Sequence, residues 1–140
     1  MSSPEIRLTD TTGRRSRQYS SQMLIRHLDQ ISDTERDVHG PGWRSRRLIV
    51  ADDGLEYSLH VTTLVEGARL QFEYEHHRET VFCLEGDGTI EDLSTDRIEG
   101  LTPGSVYSAG IGEPHVITAH TPMRLVCVFD PPIAGGEEAD

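Results

Sequence analysis

The sequence predicts an all-β single domain, an antiparallel barrel or jelly roll, on three observations. Beyond residue 40, short runs of strand composition recur at regular spacing, turn residues separate them, and no segment there shows a helical period of useful length. A chain of 140 residues has room for one hydrophobic core and not for two.

Residues 1–22, "MSSPEIRLTDTTGRRSRQYSSQ", are rich in Ser, Thr and Arg and lack apolar periodicity, so they are read as a flexible N-terminal extension. The barrel is assigned to residues 23–132, opening at Met23 with "MLIRHLDQI". "RRLIVA" runs into "DDG", a hairpin signal, and then into "LEYSLHVTTLV". After "EGA" come "RLQFEYE" and "ETVFCLE", and "GDG" leads into "TIEDL". "RIEGLT" follows "STD", the turn "PGS" precedes "VYSAG", and "HVITAH" and "MRLVCVFD" are the last strands before "PP" ends regular pairing. About eight strands at this spacing make the barrel. Residues 133–140, "IAGGEEAD", are left as a short mobile tail.

Composition excludes several functions. The formal charge of -11 argues against nucleic acid and against anionic membrane surfaces as partners. All 13 basic residues are arginine, so chemistry that needs a lysine, such as Schiff bases or a phosphate-cradling P-loop, is excluded. No apolar run approaches the ~18 residues of a membrane span, and no hydrophobic signal-peptide core is visible. Two cysteines, Cys83 and Cys127, make no disulfide framework, and the expected compartment is the cytoplasm.

Strand alternation assigns faces. In "HRETVFCLE" one face carries His77, Glu79, Val81 and Cys83; in "RLVCVFD" one carries Leu125, Cys127 and Phe129. If Val81 and Cys83 point into the barrel, so does Glu79, and an inward carboxylate is costly unless paired or bound to a metal. His77, Glu79 and His115 would form one ligand set, the two-histidine, one-carboxylate set of iron oxygenases.

Glu79 with Gly86 seven positions on, and "PGSVYSAGIGEPHVI" with its His115, resemble the two characteristic stretches of the cupin barrels. More specifically, "GPGWRSRR", "DDGLEYSLHVTT", "GDGTIEDL" and "VCVFDPP" resemble the ectoine synthase family, from Met23 to Pro132. The resemblance implies a cupin-type homodimeric enzyme whose iron(II), or else zinc or another divalent metal, is held by Glu79, Tyr107 and His115. It implies metal-dependent cyclodehydration of N-γ-acetyl-L-2,4-diaminobutyrate to ectoine, with Glu79 and Tyr107 also catalytic. The small zwitterionic substrate would be bound by Trp43, Arg47, Thr62, Tyr74, His77, Phe129 and Glu137. Arg47 would pair with its carboxylate and Glu137 with its amine. His60 falls at a further pocket position, where that family has histidine or asparagine. The loop "SAGIGEP" before His115 and the short tail depart from the family pattern, and the alternative reading is a related metal cupin acting on another small amide or amino acid.

Overall fold

The structure, a computed structural model, describes residues 23–134; the expectations for residues 1–22 and for Glu137 fall outside the described residues. Ten strands occupy Asp37–Gly40 (β1), Trp43–Ile49 (β2), Ser58–Leu64 (β3), Arg69–Phe72 (β4) and Arg78–Glu85 (β5), then Gly88–Asp92 (β6), Arg97–Leu101 (β7), Val106–Ala109 (β8), His115–Ala119 (β9) and Met123–Asp130 (β10). They form two antiparallel sheets, one ordered β1-β2-β3-β10-β5-β8 and the other β4-β9-β6-β7. The predicted all-β class holds, and among the described residues the helical structure consists of short 3-10 turns.

The core lies between the sheets because alternate residues of each strand turn inward. β10 shows the pattern most plainly: Met123, Leu125, Cys127 and Phe129 are buried, and the residues between them are partly exposed. On β5 the inward set is Glu79, Val81 and Cys83, and β9 supplies Ile117 and Ala119 from the facing sheet. Each such apolar side chain contributes about 1.5–3 kcal/mol when fully buried.

Three local readings change. The hairpin signalled by "DDG" is present as the β2–β3 pair, but the connection is wide: Ala51–Asp53 form a 3-10 turn closed by Gly54 at φ 80°. That left-handed angle suits glycine. β1, too short and polar to stand out in sequence, pairs with β2 from Asp37↔Arg46 to Gly40↔Trp43. Ile133, assigned to the mobile tail, is fully buried; its N–H donates to Ser58 Oγ (3.0 Å) and its carbonyl accepts from Ala51 N–H.

The N-terminal segment is fastened to the β2–β3 connection by one carboxylate. Arg26 donates to both oxygens of Asp53 at 2.8 and 2.7 Å, Arg36 adds longer bonds at 3.2 and 3.4 Å, and Val50 N–H donates at 2.9 Å. Burial opposes ionisation of Asp53, but these donors outweigh it and hold its carboxyl well below the usual range. On β1, hydrogen bonds from Arg44 bring Asp37 down to about 2. Asp53→Ala is expected to lower unfolding free energy by about 2 kcal/mol in urea titration, the worth of a charged hydrogen-bond cluster. Both pKa values are depressed in the folded state, so their stabilisation is complete above about pH 4, the unfolded carboxylate range. It is lost as pH falls towards 2; thermal melts showing no loss in that window would contradict the assignment.

Candidate active site

Glu79 enters the barrel from the second position of β5, where its backbone pairs with Phe129 of β10 and Ala109 of β8. Tyr107 lies two residues before Ala109 on β8, opposite Val81. His115 opens β9 in the other sheet, paired with Phe72 and Asp92. The two sheets therefore deliver three side chains to one point. Glu79 Oε1 lies 3.0 Å from His115 Nε2 and accepts a hydrogen bond from Tyr107 Oη at 3.2 Å; Tyr74 Oη donates to Oε2 at 3.5 Å. Glu79 and His115 are each 4% exposed.

Backbone geometry fixes the histidine. His115 Nδ1 lies 2.8 Å from the carbonyl of Glu113, which only accepts, so Nδ1 carries a hydrogen and Nε2 faces the carboxylate. Glu113 is itself held by Gly110 N–H on Oε1 at 2.8 Å. In the metal-free protein a proton must sit between Nε2 and Glu79. Burial disfavours the imidazolium, but the bonds to Glu79 and to the Glu113 carbonyl prevail, and the His115 pKa is raised. Burial, then the negative charge of Glu79, pushes Tyr107 far above its ordinary value and Tyr74 likewise, so both phenols keep their protons.

The same contact is a fit test for a metal. A carboxylate oxygen and an imidazole nitrogen, both acceptors once Nε2 is bare, stand 3.0 Å apart with a phenol oxygen at 3.2 Å. A proton satisfies that contact in the metal-free protein, and a divalent cation would satisfy it in the proton's place. One nitrogen and two oxygen donors suit iron or zinc, and the Nδ1–carbonyl bond is the usual outer support of a ligating histidine. Among the described residues no group of three His, Cys, Asp or Glu gathers around one point, so a metal at Glu79 and His115 would need the Tyr107 phenol as a further donor.

A cavity of about 320 Å³ leads to Glu79 and is lined by Trp43, Arg47, Thr62, Tyr74 and Phe129. Arg47 is 2% exposed, deep inside on β2, with Nη1 donating to the Ala134 carbonyl at 3.4 Å. His60 of β3 lines the same space; burial, then Arg47 and His77, lowers its pKa to about 3, so it is neutral. Its place was legible, since Ser58, His60, Thr62 and Leu64 alternate on one face. Cys127 also borders the cavity, its thiol held protonated by burial and donating to Thr62 Oγ1 at 3.5 Å.

Two residues sit differently from the alternation reading. His77 precedes β5, so the inward face begins at Glu79; its ring is half-buried, Nδ1 donates to the Pro131 carbonyl at 2.7 Å, and it packs edge-on against Phe129. It stands behind the cavity wall and outside the Glu79–His115 cluster. Tyr74 is buried in the connection after β4, which ends at Phe72, and stacks on that phenylalanine.

The two antiparallel sheets, closed over one core, have the cupin fold. The fold matches an RmlC-like cupin from Shewanella frigidimarina at a TM-score of 0.56, with 20% identity over 66% of this chain and 78% of that one. Residues 23–140 match the profile of the family described as ectoine synthase. The L-ectoine synthase of Nocardia farcinica is 46% identical over 84% of this chain and 90% of its own. The crystal structure of ectoine synthase from P. lautus superimposes with a TM-score of 0.77 at 39% identity, covering 82% of this chain and 83% of that one. The chain belongs to the ectoine synthase family.

Removing the charge at position 79 should release the histidine. In Glu79→Gln the His115 pKa is expected to fall, because the carboxylate that stabilises its imidazolium is gone. NMR titration of the metal-free protein reads it directly, and an unchanged value would mean that the 3.0 Å contact does not form in solution.

Proposed function

We propose that this chain closes N-γ-acetyl-L-2,4-diaminobutyrate into ectoine with loss of water, as a metal-dependent hydro-lyase. Membership of the ectoine synthase family supports the reaction. The observation that carries it to these residues is that Arg47 and Glu79 line one cavity, with Tyr107 and His115 on Glu79. Such a site offers a cation to one part of a zwitterion and a polar reacting centre to the other.

Glu79, Tyr107 and His115 would hold the metal, iron(II) in our reading, with zinc or another divalent ion as alternatives. Bound there, the ion supplies a Lewis acid for the acetamide oxygen. The chain does the rest. Arg47 binds the substrate carboxylate, bidentate as guanidinium geometry favours. Thr62 adds a hydroxyl, and Trp43, Tyr74 and Phe129 exclude water, which favours the open-chain amide. Ring closure needs the α-ammonium to lose two protons, and both must reach the departing oxygen as water. Glu79 and Tyr107, 3.2 Å apart, are the groups placed to take up and return these protons.

The partner is a small zwitterion and the compartment is the cytoplasm; among the described residues no helix is long and apolar enough to cross a membrane. We also propose a homodimer, supported by the exposed outer face at the edge of the larger sheet. There Phe82 (42%), Leu84 (43%) and Val106 (64%) stand exposed, Phe82 paired with Val106. Light scattering should give twice the chain mass, and Val106→Glu should shift it towards the monomer.

Purified protein supplied with iron(II) and the acetylated diaminobutyrate should yield ectoine by chromatography. Glu79→Ala and His115→Ala should each lose bound metal by elemental analysis, and unchanged occupancy in both would remove them as ligands. Arg47→Ala should raise KM by about ten-fold or more, the loss of a charged hydrogen-bond pair. Metal retention without product would move the reading to a different small amide.

A further inference from the structure

Tyr107 and His115 line a cavity other than the one that leads to Glu79. This second space is also about 320 Å³, and among the described residues the two have no lining side chain in common. It lies where both sheets end, in the seam between the edge strands β7 and β8. Glu79 faces the first cavity and Tyr107 and His115 the second, so the contacts among the three form a partition between them.

Register lays out the approach from this side. Residues directly opposite in an antiparallel pair turn to the same face. His115 is opposite Asp92, and Asp92 is opposite Arg97, so these side chains stand in a row across the inner face of the smaller sheet. Glu99, opposite Ile90, lies in the next row. The path begins in solvent, where the Arg97 and Glu99 side chains are 71% and 59% exposed, and ends at His115, 4% exposed.

Charge separates the two cavities. The second carries three carboxylates, Asp92, Glu99 and Glu113, against the one guanidinium of Arg97, a surplus of two negative charges. Arg97 and Glu99 pair at 3.0 Å, but so exposed a pair is worth little and leaves the surplus as it is. In the first cavity Arg47 balances Glu79, and His60 is neutral. A dication is therefore drawn to the seam and opposed by the guanidinium on the other side. What the field serves is set by the inner end of the seam, where an imidazole and a phenol offer a metal its donors.

We propose that the seam between β7 and β8 is the route by which the divalent metal reaches Glu79, Tyr107 and His115, steered by Asp92, Glu99 and Glu113. The substrate uses the other cavity, so metal and substrate do not compete for one opening. This rests on the proposed function for the three ligands and adds how their ion arrives.

Stopped-flow mixing of zinc(II) with the metal-free protein, with free zinc read by a fluorescent indicator, gives the uptake rate. At low ionic strength Glu99→Arg, which cancels the surplus, should slow uptake by about ten-fold. Asp92→Asn, which keeps an oxygen for the Ser94 N–H, should slow it less. Added salt should slow the wild type and leave Glu99→Arg nearly unchanged. Glu66→Arg, the same charge reversal on the β3–β4 connection, should keep the wild-type rate. Bound zinc at saturation, by elemental analysis, should be equal in all four proteins. A wild-type rate in Glu99→Arg, or an equal slowing in Glu66→Arg, would overturn the route and leave the ligands standing. Zinc missing at saturation from Glu99→Arg would also overturn it, by making that carboxylate part of the binding site. Full zinc occupancy in Glu79→Ala and His115→Ala would instead sink the ligand assignment, and the route with it.

Discussion

A negative charge has been put inside the barrel, and the rest of the site is arranged around it. Glu79 precedes Val81 by two residues and Cys83 by four on the same face of β5, and both are fully buried, so its carboxylate shares their apolar surroundings. Isolated there it would cost several kcal/mol. It is instead contacted by an imidazole from the opposite sheet and phenols from β8 and the β4–β5 connection. Because His115 belongs to β9 and Glu79 to β5, satisfying the charge also fastens one sheet to the other. A buried pair of this sort is weak evidence for stability, since a well-packed apolar pair serves as well. Its presence is better explained by a role in the chemistry of the site than by stability.

The fold was legible because its strands keep strict alternation. β10 and β5 read as in-out patterns whose inward residues are the buried ones, and that reasoning turned Glu79 inward without reference to any relative. β2 was less legible for an electrostatic reason. In "WRSRRLI" arginines occupy both faces, so composition alone suggests a solvated edge, whereas Ser45 and Arg47 are buried and Arg44 and Arg46 are partly exposed. An arginine buried to 2% exposure is rare enough that no propensity argument finds it. His77 failed in the opposite way: the alternation was extended two residues ahead of Glu79, past the point where pairing begins. Nor does spacing reveal that the Glu113 carbonyl aims the His115 ring, because that contact depends on a turn conformation.

Charge is distributed along the cavity in a way that assigns direction to whatever enters. Arg47 is the cationic donor on β2, beside the neutral His60 of β3, while Glu79 is the acceptor on β5. Tyr74 and Phe129, in edge contact at 5.1 Å between centroids, supply apolar wall to that cavity. In such a low-dielectric space opposite charges are screened little, so a zwitterion entering backwards meets like charge at both ends. Orientation then follows from electrostatics before any fine shape matching, which sits well with a cavity whose apolar lining is otherwise unspecific.

The polar ends of this cavity are also held differently, and that difference matters for preorganisation. Groups aimed at developing charge are most effective when nothing must reorganise during reaction. His115 is fixed by the Glu113 carbonyl, and Glu113 by Gly110 N–H, so the ring's orientation is set by the loop that carries it. A Cβ at residue 110 would stand 2.4 Å from Glu113 Oε1, so a side chain there would displace the Glu113 carboxylate from the position it holds on the Gly110 N–H. Arg47 and His60 share one serine hydroxyl, at 3.5 and 3.3 Å, and Arg47 also donates to the Ala134 carbonyl at 3.4 Å. The two ends are thus held by separate contacts, so a substitution at Ser45 is felt by Arg47 and His60 while the geometry at Glu79, Tyr107 and His115 stays intact.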